Sequence, residues 1–481
     1  MNSSKEKNAI QIQHDTLLKL ISSAKNTVFG KDHDFNTINT YKNFKNKVPV
    51  RDYEKLRIYI DRIVKGEENI CWKGKPSYFA KTSGTTSGAK YIPITNDSIN
   101  HHIVAARNAL FAYVAETNKG DFFNRKMIFL QGSPILTDTN GVKTGRLSGL
   151  VYHHVPKWLV GNRKPSYHTN CIEDWEQKVD AVVEETYLED MSLISGIPPW
   201  CIMYFEKLIE KTGKKTIQEI FPNFKLFIYG GLNYEPYREK IEKLIGFKID
   251  TIETYPASEG FFAYQNKQND KGLLLNTDAG IFYEFIKVEE FYNENPEKIY
   301  LKDVKLNENY VLIVSTNAGL WAYNTGDTVK FLSLKPFKII VTGRLKHFIS
   351  AFGEHVIAEE VESTMSEVAN ELNLIVEEFT VAPFIAKNKT EDSYHEWFIE
   401  LSNNNYDLKE ISNLIDKKLQ EKNVYYQDLR KGKMLTLAKV SIVENGGFKK
   451  YQLSKGKLGG QNKVVHLSND RNIAGELSRF L

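Results

Sequence analysis

Cysteine is scarce, with three in 481 residues: Cys71, Cys171 and Cys201. None falls in a CxxC or Cys/His spacing, so their placement encodes no zinc site. Apolar or aromatic neighbours flank each one, as expected of buried free thiols. Long apolar runs are missing too. No stretch approaches the roughly 20 apolar residues of a membrane helix, and the N-terminal MNSSKEKNAIQIQHD lacks the apolar core of a signal peptide. A reduced, cytoplasmic protein with no membrane partner is the expectation. An excess of one charge is also lacking: 64 Lys and Arg stand against 60 Asp and Glu, a net +4. So balanced a surface offers no field for nucleic acid as a partner. Internal repeats and low-complexity tracts are not evident.

What is present is 41% hydrophobic and 12% aromatic content, enough to pack cores, in a chain long enough for more than one domain. Helical spacing places Leu17, Leu18 and Ile21 together, and Tyr53, Leu56, Ile60 and Ile63 in RDYEKLRIYIDRIVKG. TNDSINHHIVAARNALFAYVAE puts Ile99, Ile103, Ala106, Leu110 and Val114 on one face, with Thr95 to Asp97 as N-cap candidates. The runs MIFLQGSP, LISGIPP, KLFIYGG and KIDTIETYP read as buried strands ending in turns, with helices such as EDWEQKVDAVVEETYLED between them. Alternating strands and helices predict an α/β fold with ligand loops at strand ends. From about Gly280 strands dominate, in GIFYEFIKVEEF, NYVLIVST, GLWAYNTGDTVKFL and FKIIVTG. After VTGR a compact α+β order follows. The chain therefore divides into a large N-terminal domain, residues 1–343, with mixed sheets, helices and a β-rich part, and a small C-terminal α+β domain, 344–481. Gly343–Arg344 is the expected hinge.

The segment FAKTSGTTSGAKYIPIT, Phe79 to Thr95, carries a Ser/Thr/Gly run followed by Lys90. It is not a Walker A loop, because Gly84 and Gly88 lie four apart and Tyr91 follows Lys90. It is not GxGxxG either. It still suits a phosphate chain: the glycines let backbone N–H groups converge on an anion, and Ser83, Thr85, Thr86 and Ser87 add hydroxyl donors. Taken alone, such a run is more often an ordinary loop. Three further segments supply partners. YGGLNYEPYR ends a strand with Gly230 and Gly231, where a flat ring can approach backbone. TYPASEG sets Tyr255, Ser258 and Glu259 on one strand-to-loop turn, an aromatic, a hydroxyl and a carboxylate suited to a base, a phosphate and Mg²⁺. YNTGDTVKF offers Asp327 after a tight turn, placed to accept from a ribose diol. Each has a plainer reading as core aromatic, solvated cap or turn residue.

TSGTTSGAKYIPIT, TYPASEG, YNTGDTV and GRLKHFISAFGEHV, in that order, resemble the core motifs of the luciferase-like adenylate-forming superfamily. With VPVRDYEKLRIYIDRI, GEENICWKGKPSYF and ISGIPPWCIMYFEKL, the chain is similar over nearly its whole length to the auxin-responsive-type acyl-acid amido synthetases and their bacterial relatives. The resemblance implies an ATP-dependent ligase with Mg²⁺, which adenylates a small carboxylic acid and passes the acyl group to an amine, expected to be an amino acid. It implies phosphate contacts from Ser83, Gly84, Thr85, Thr86 and Gly88, and an adenine-facing turn at Gly230 and Gly231. It further implies adenine stacking by Tyr255, an α-phosphate hydroxyl at Ser258, a Mg²⁺ carboxylate at Glu259 and a ribose ligand at Asp327. Arg344 and Lys346 match the hinge, about which the C-terminal domain is expected to move. The superfamily's PKTxxGK ending is absent. Gln461-Asn462-Lys463 instead resembles the family's Gln-Tyr-Lys segment, so Lys463 is expected at the α-phosphate, with Lys457 as alternative. For the acid, the helix after the loop and LSGLVYHHVPKW are expected to line the pocket, with Arg107 as a candidate carboxylate partner or a solvated side chain. His153 and His154 are adjacent and, in a strand, could not chelate one metal together. Competing readings are an acyl-CoA synthetase with a thiol acceptor and a non-catalytic nucleotide-binding homologue.

Overall fold

In a computed structural model of the chain, the residues described are 8–82, 90–231, 234–345, 348–349, 356–386, 391–402, 406–431, 435–455, 464–468 and 470–481. They form two compact units. The first comprises Met1–Glu173, Gln177–Gly231 and Lys248–Ile340; the second comprises Asp174–Glu176, Leu232–Phe247 and Val341–Leu481.

The expected strands of the first unit all form, and they join one sheet. Its order runs Ile299–Tyr300, Ile281–Lys287, Asn309–Thr316, Tyr323–Leu334, Phe337–Arg344, Leu273–Leu275, Gly260–Gln265, Asp250–Ala257, Leu226–Gly230, Met191–Ser195, Lys126–Phe129 and Arg163–Lys164. The last five strands pair in parallel. Their apolar continuity follows, because helices cover a parallel sheet on both faces. From Gly260–Gln265 onward the described pairings are antiparallel.

The helix Asn96–Thr117 starts at Thr95, whose hydroxyl accepts from Ser98 N while Ser98 Oγ accepts from Thr95 N. This capping box satisfies two donors that the first turn leaves orphaned. The helix buries Ile99, His102, Ala105, Ala109 and Tyr113, and Ala105, Ala109 and Tyr113 share a core with Met127, Leu193, Leu226, Ile252 and Phe261. The expected face, through Ala106 and Leu110, is thus offset: Ala106 is exposed and Leu110 only half-buried. Several apolar residues in a row made two faces equally apolar, and the sheet selected the one with the small alanines. A second apolar centre surrounds Trp321, whose indole N–H donates to Cys71 O at 2.9 Å. Phe29 and Phe35 lie against its ring. Fully burying each such side chain contributes about 1.5–3 kcal/mol.

In the second unit Val376–Phe384, Tyr394–Leu401 and Lys439–Val443 form a three-stranded sheet, antiparallel and then parallel. Helices Ala358–Leu372 and Leu408–Lys422 close its core through Val361, Met365, Val368, Ile411, Ile415 and Leu419. This is the α+β order read from the sequence.

Candidate functional site

The parallel part of the first unit's sheet sets the site. Leu226–Gly230 pairs with Asp250–Ala257 so that Gly230 faces Thr254. A Cβ at Gly230 would lie 2.5 Å from Thr254 O, and Gly231 has φ +75°. Both positions therefore demand glycine. Asp250–Ala257 then turns back antiparallel, with Ala257 opposite Gly260. Ser258 and Glu259 are the two residues of that turn, each half-buried at its tip.

Tyr255, on the strand below this tip, is buried at 7% exposure, its ring edge-on to Phe262 at 5.0 Å. Its hydroxyl donates to Asp327 Oδ2 at 2.6 Å. Asp327, 6% exposed, follows a turn made by its own sequence. Asn324 Oδ1 accepts from Gly326 N at 2.9 Å, Thr325 Oγ1 accepts from Asp327 N at 3.1 Å, and Gly326 takes φ +81°. The NTGD stretch is thus an Asx turn with a glycine where only glycine is unstrained. Gly230, Gly231, Tyr255, Ser258, Glu259 and Asp327 are brought together in the first unit.

Ser83, Gly84, Thr85, Thr86 and Gly88 lie outside the described residues, as do Lys346, Lys457 and Lys463. The strands that carry the Ser/Thr/Gly run, Tyr78–Thr82 and Lys90–Ile94, pair antiparallel with Thr82 opposite Lys90. Helix Tyr53–Val64 braces them: Tyr53 OH accepts from Tyr91 N at 2.9 Å, and Lys90 Nζ lies 5.5 Å over the Tyr53 ring. Arg344, the exposed last residue of the strand Phe337–Arg344, belongs to the second unit, whereas the strand's first half, to Ile340, belongs to the first.

Arg107 takes the solvated alternative of its two sequence readings. It is exposed and about 200° around the helix from Ala105, on the side away from the sheet. LSGLVYHHVPKW is helical from Leu147 to Tyr152, and the two histidines follow that helix rather than lying in a strand. His153 Nε2 lies 2.8 Å from Pro134 O and His154 Nε2 3.0 Å from Tyr78 OH.

Sequence reasoning missed Lys178. Its ammonium is buried and donates to Gln131 O at 2.9 Å and Asn170 O at 2.7 Å. Burial lowers its pKa to about 8. It pins the loop leaving the strand Lys126–Phe129, and its only sequence signal is a lysine among the apolar positions of WEQKVDAVV. Among the described residues no group of three or more His, Cys, Asp and Glu side chains could hold a metal. No helix among them is long and apolar enough to cross a membrane.

Known proteins match this architecture. The sequence profile of the GH3 family N-terminal domain matches residues 3–179, that of the central domain 274–344 and that of the C-terminal domain 359–472. Jasmonoyl-L-amino acid synthetase JAR4 of Nicotiana attenuata is 24% identical over 392 residues, 67% of either chain. The solved GH3.15 acyl acid amido synthetase superposes with a TM-score of 0.80 at 16% identity, covering 98% of this chain and 95% of its own. A 2-hydroxyisobutyryl-CoA ligase in its postadenylation state shares the fold at a TM-score of 0.63 and 11% identity, over 99% and 92% of the two chains. The chain belongs to the GH3 family of acyl-acid amido synthetases, within the adenylate-forming fold.

Proposed function

We propose that this chain joins a small carboxylic acid to the amine of an amino acid, using ATP. The observation that carries the reading is the gathering of the turn at Gly230 and Gly231, the Tyr255–Asp327 pair and the Ser258–Glu259 tip at one end of the first unit's sheet. In the first step a carboxylate oxygen of the acid attacks the α-phosphorus of ATP. The bond to the bridging oxygen breaks and pyrophosphate leaves, giving acyl-AMP. In the second, an amine nitrogen attacks the acyl carbon, AMP leaves and the amine gives up a proton.

Charge builds on the α-phosphoryl oxygens in the first step, so the protein's part is positioning and electrostatic stabilisation. Ser83, Gly84, Thr85, Thr86 and Gly88 hold the phosphate chain, Gly230, Gly231 and Tyr255 the adenine, and Asp327 the ribose. Ser258 donates near the α-phosphate, and Lys463 brings a positive charge to it. Glu259 is the carboxylate for Mg²⁺. A half-buried carboxylate at a turn tip fits that role, since Mg²⁺ takes one or two carboxylates with phosphate oxygens and water. When bound, the ion neutralises the departing pyrophosphate. The C-terminal domain, 344–481, moves about Arg344 and Lys346 between the steps.

The test is product identity. With ATP, Mg²⁺ and pooled aryl, indole and aliphatic acids, AMP and pyrophosphate should appear, and pooled amino acids should accelerate them. ADP would refute the reaction class, and acceleration by coenzyme A rather than amino acids would refute the acceptor. Lys463→Ala should abolish AMP formation while leaving ATP binding nearly intact.

A further inference from the structure

The Tyr255–Asp327 bond joins strands that are not neighbours. Between Asp250–Ala257, which carries Tyr255, and Tyr323–Leu334, which carries Asp327, the sheet order places three strands: Gly260–Gln265, Leu273–Leu275 and Phe337–Arg344. At about 4.8 Å per strand a flat sheet would set the two backbones roughly 19 Å apart, too far for a tyrosine and an aspartate to touch. They are nevertheless bonded at 2.6 Å, both buried. The sheet therefore curls, and this bond closes across its concave side. Each end is fixed separately: the Tyr255 ring by Phe262, and Asp327 by the Asn324–Thr325–Gly326 turn, itself tied to the next strand through Thr325 Oγ1 donating to Leu312 O at 3.0 Å.

We infer that the Tyr255 hydroxyl is a positioning group for ribose recognition, holding the Asp327 carboxylate at a fixed angle and coupling the reading of base and sugar. The inference rests on the nucleotide reading above and extends it, since an aromatic needed only for stacking could as well be phenylalanine. A hydroxyl bonded to a carboxylate at this distance is charge-assisted and directional. It fixes which lone pairs of Asp327 remain directed at a sugar diol. It also fixes the plane of the ring that the base meets.

The experiment is calorimetric titration of the full chain with Mg²⁺ and ATP, 2′-deoxyATP or 3′-deoxyATP, in the absence of any acid so that nothing turns over. Tyr255→Phe keeps the ring and removes only the hydroxyl. It should weaken ATP roughly tenfold and weaken the deoxynucleotides less, so that the preference for the intact ribose shrinks. In an Asp327→Ala background the same change should cost nothing further, because the hydroxyl acts through that carboxylate. Thermal unfolding of each variant separates a binding loss from a folding loss. Equal weakening of ATP and both deoxynucleotides, wild-type binding by Tyr255→Phe, or losses that add in the double variant would each overturn the coupling while leaving the nucleotide reading in place. A wild-type chain that binds no ATP would instead remove the nucleotide reading, and this inference with it.

Discussion

Each unit buries a carboxylate against a tyrosine hydroxyl, and the two arrangements differ in what completes them. In the first unit Tyr255 donates to Asp327 within motifs that read as a nucleotide site. In the second, Tyr237 donates to Glu378 at 3.2 Å, and His466 is held between Glu378 and Glu362, 2.9 Å from each, with its ring stacked on Phe379 at 4.3 Å. Burial alone would lower the imidazole's pKa. Hydrogen bonds to the two carboxylates outweigh that and raise it to about 10. The first arrangement thus pairs its carboxylate with a neutral donor at the mouth of a turn. The second encloses a cation with two anions in the interior. We read the first as a recognition device and the second as a structural one.

Opposite responses to substitution would establish that distinction. His466→Gln removes the cation from between Glu362 and Glu378 and should cost the second unit about 3–5 kcal/mol, the usual result of breaking a buried ion pair. Urea unfolding followed by calorimetry would show it, while ATP affinity stays near wild type. Asp327→Asn keeps an acceptor for Tyr255, so stability should change by less than about 1 kcal/mol, yet ATP should bind roughly tenfold more weakly. If His466→Gln unfolded no more easily than the wild type, the structural reading of that cluster would be wrong.

The pH dependence sharpens the same contrast. His466 is raised in the folded state from an ordinary 6.5 to about 10. Its contribution is therefore complete below about pH 6.5, declines as the unfolded chain alone gives up the proton, and is gone above pH 10. One proton corresponds to about 1.4 kcal/mol per pH unit. The difference in unfolding free energy between wild type and His466→Gln should narrow between pH 7 and 10. A constant gap would mean that His466 is not the titrating group.

Why one arrangement was legible and the other not is a matter of sequence distance. NTGD contains its own turn, TYPASEG its own hairpin tip and YGG its own close approach, so residue order alone pointed to them. The strands of both units were legible for the same reason, as apolar runs bounded by Gly and Pro. His466 meets Glu362 and Glu378 across 104 and 88 residues, and nothing local marks any of the three. Gln13 is comparable: buried on the first helix, Ala9–Ala24, it donates to Thr277 O and Ile281 O at 2.8 Å and accepts from Tyr283 N at 2.9 Å. A glutamine in QIQHD gives no hint that it pins a strand some 270 residues later. Spacing also failed where apolar residues were too dense, as on Asn96–Thr117, where the true face differs from the one read.

That failure leads to the smallest expected effect. The sequence leaves Arg107 two readings, a partner for the acid's carboxylate or a solvated side chain on the face opposite Ala106 and Leu110. With Ala105 and Ala109 buried instead, Arg107 lies on the solvent side of its helix. A solvated arginine away from any cap or network contributes within about 0.5 kcal/mol to stability. Arg107→Ala should therefore change the KM for any accepted acid by less than about threefold and leave the melting temperature in place. A rise in that KM of tenfold or more, with the KM for ATP unchanged, would return Arg107 to the acid pocket. It would also mean that the helix offers the substrate the face opposite to the one it packs on the sheet.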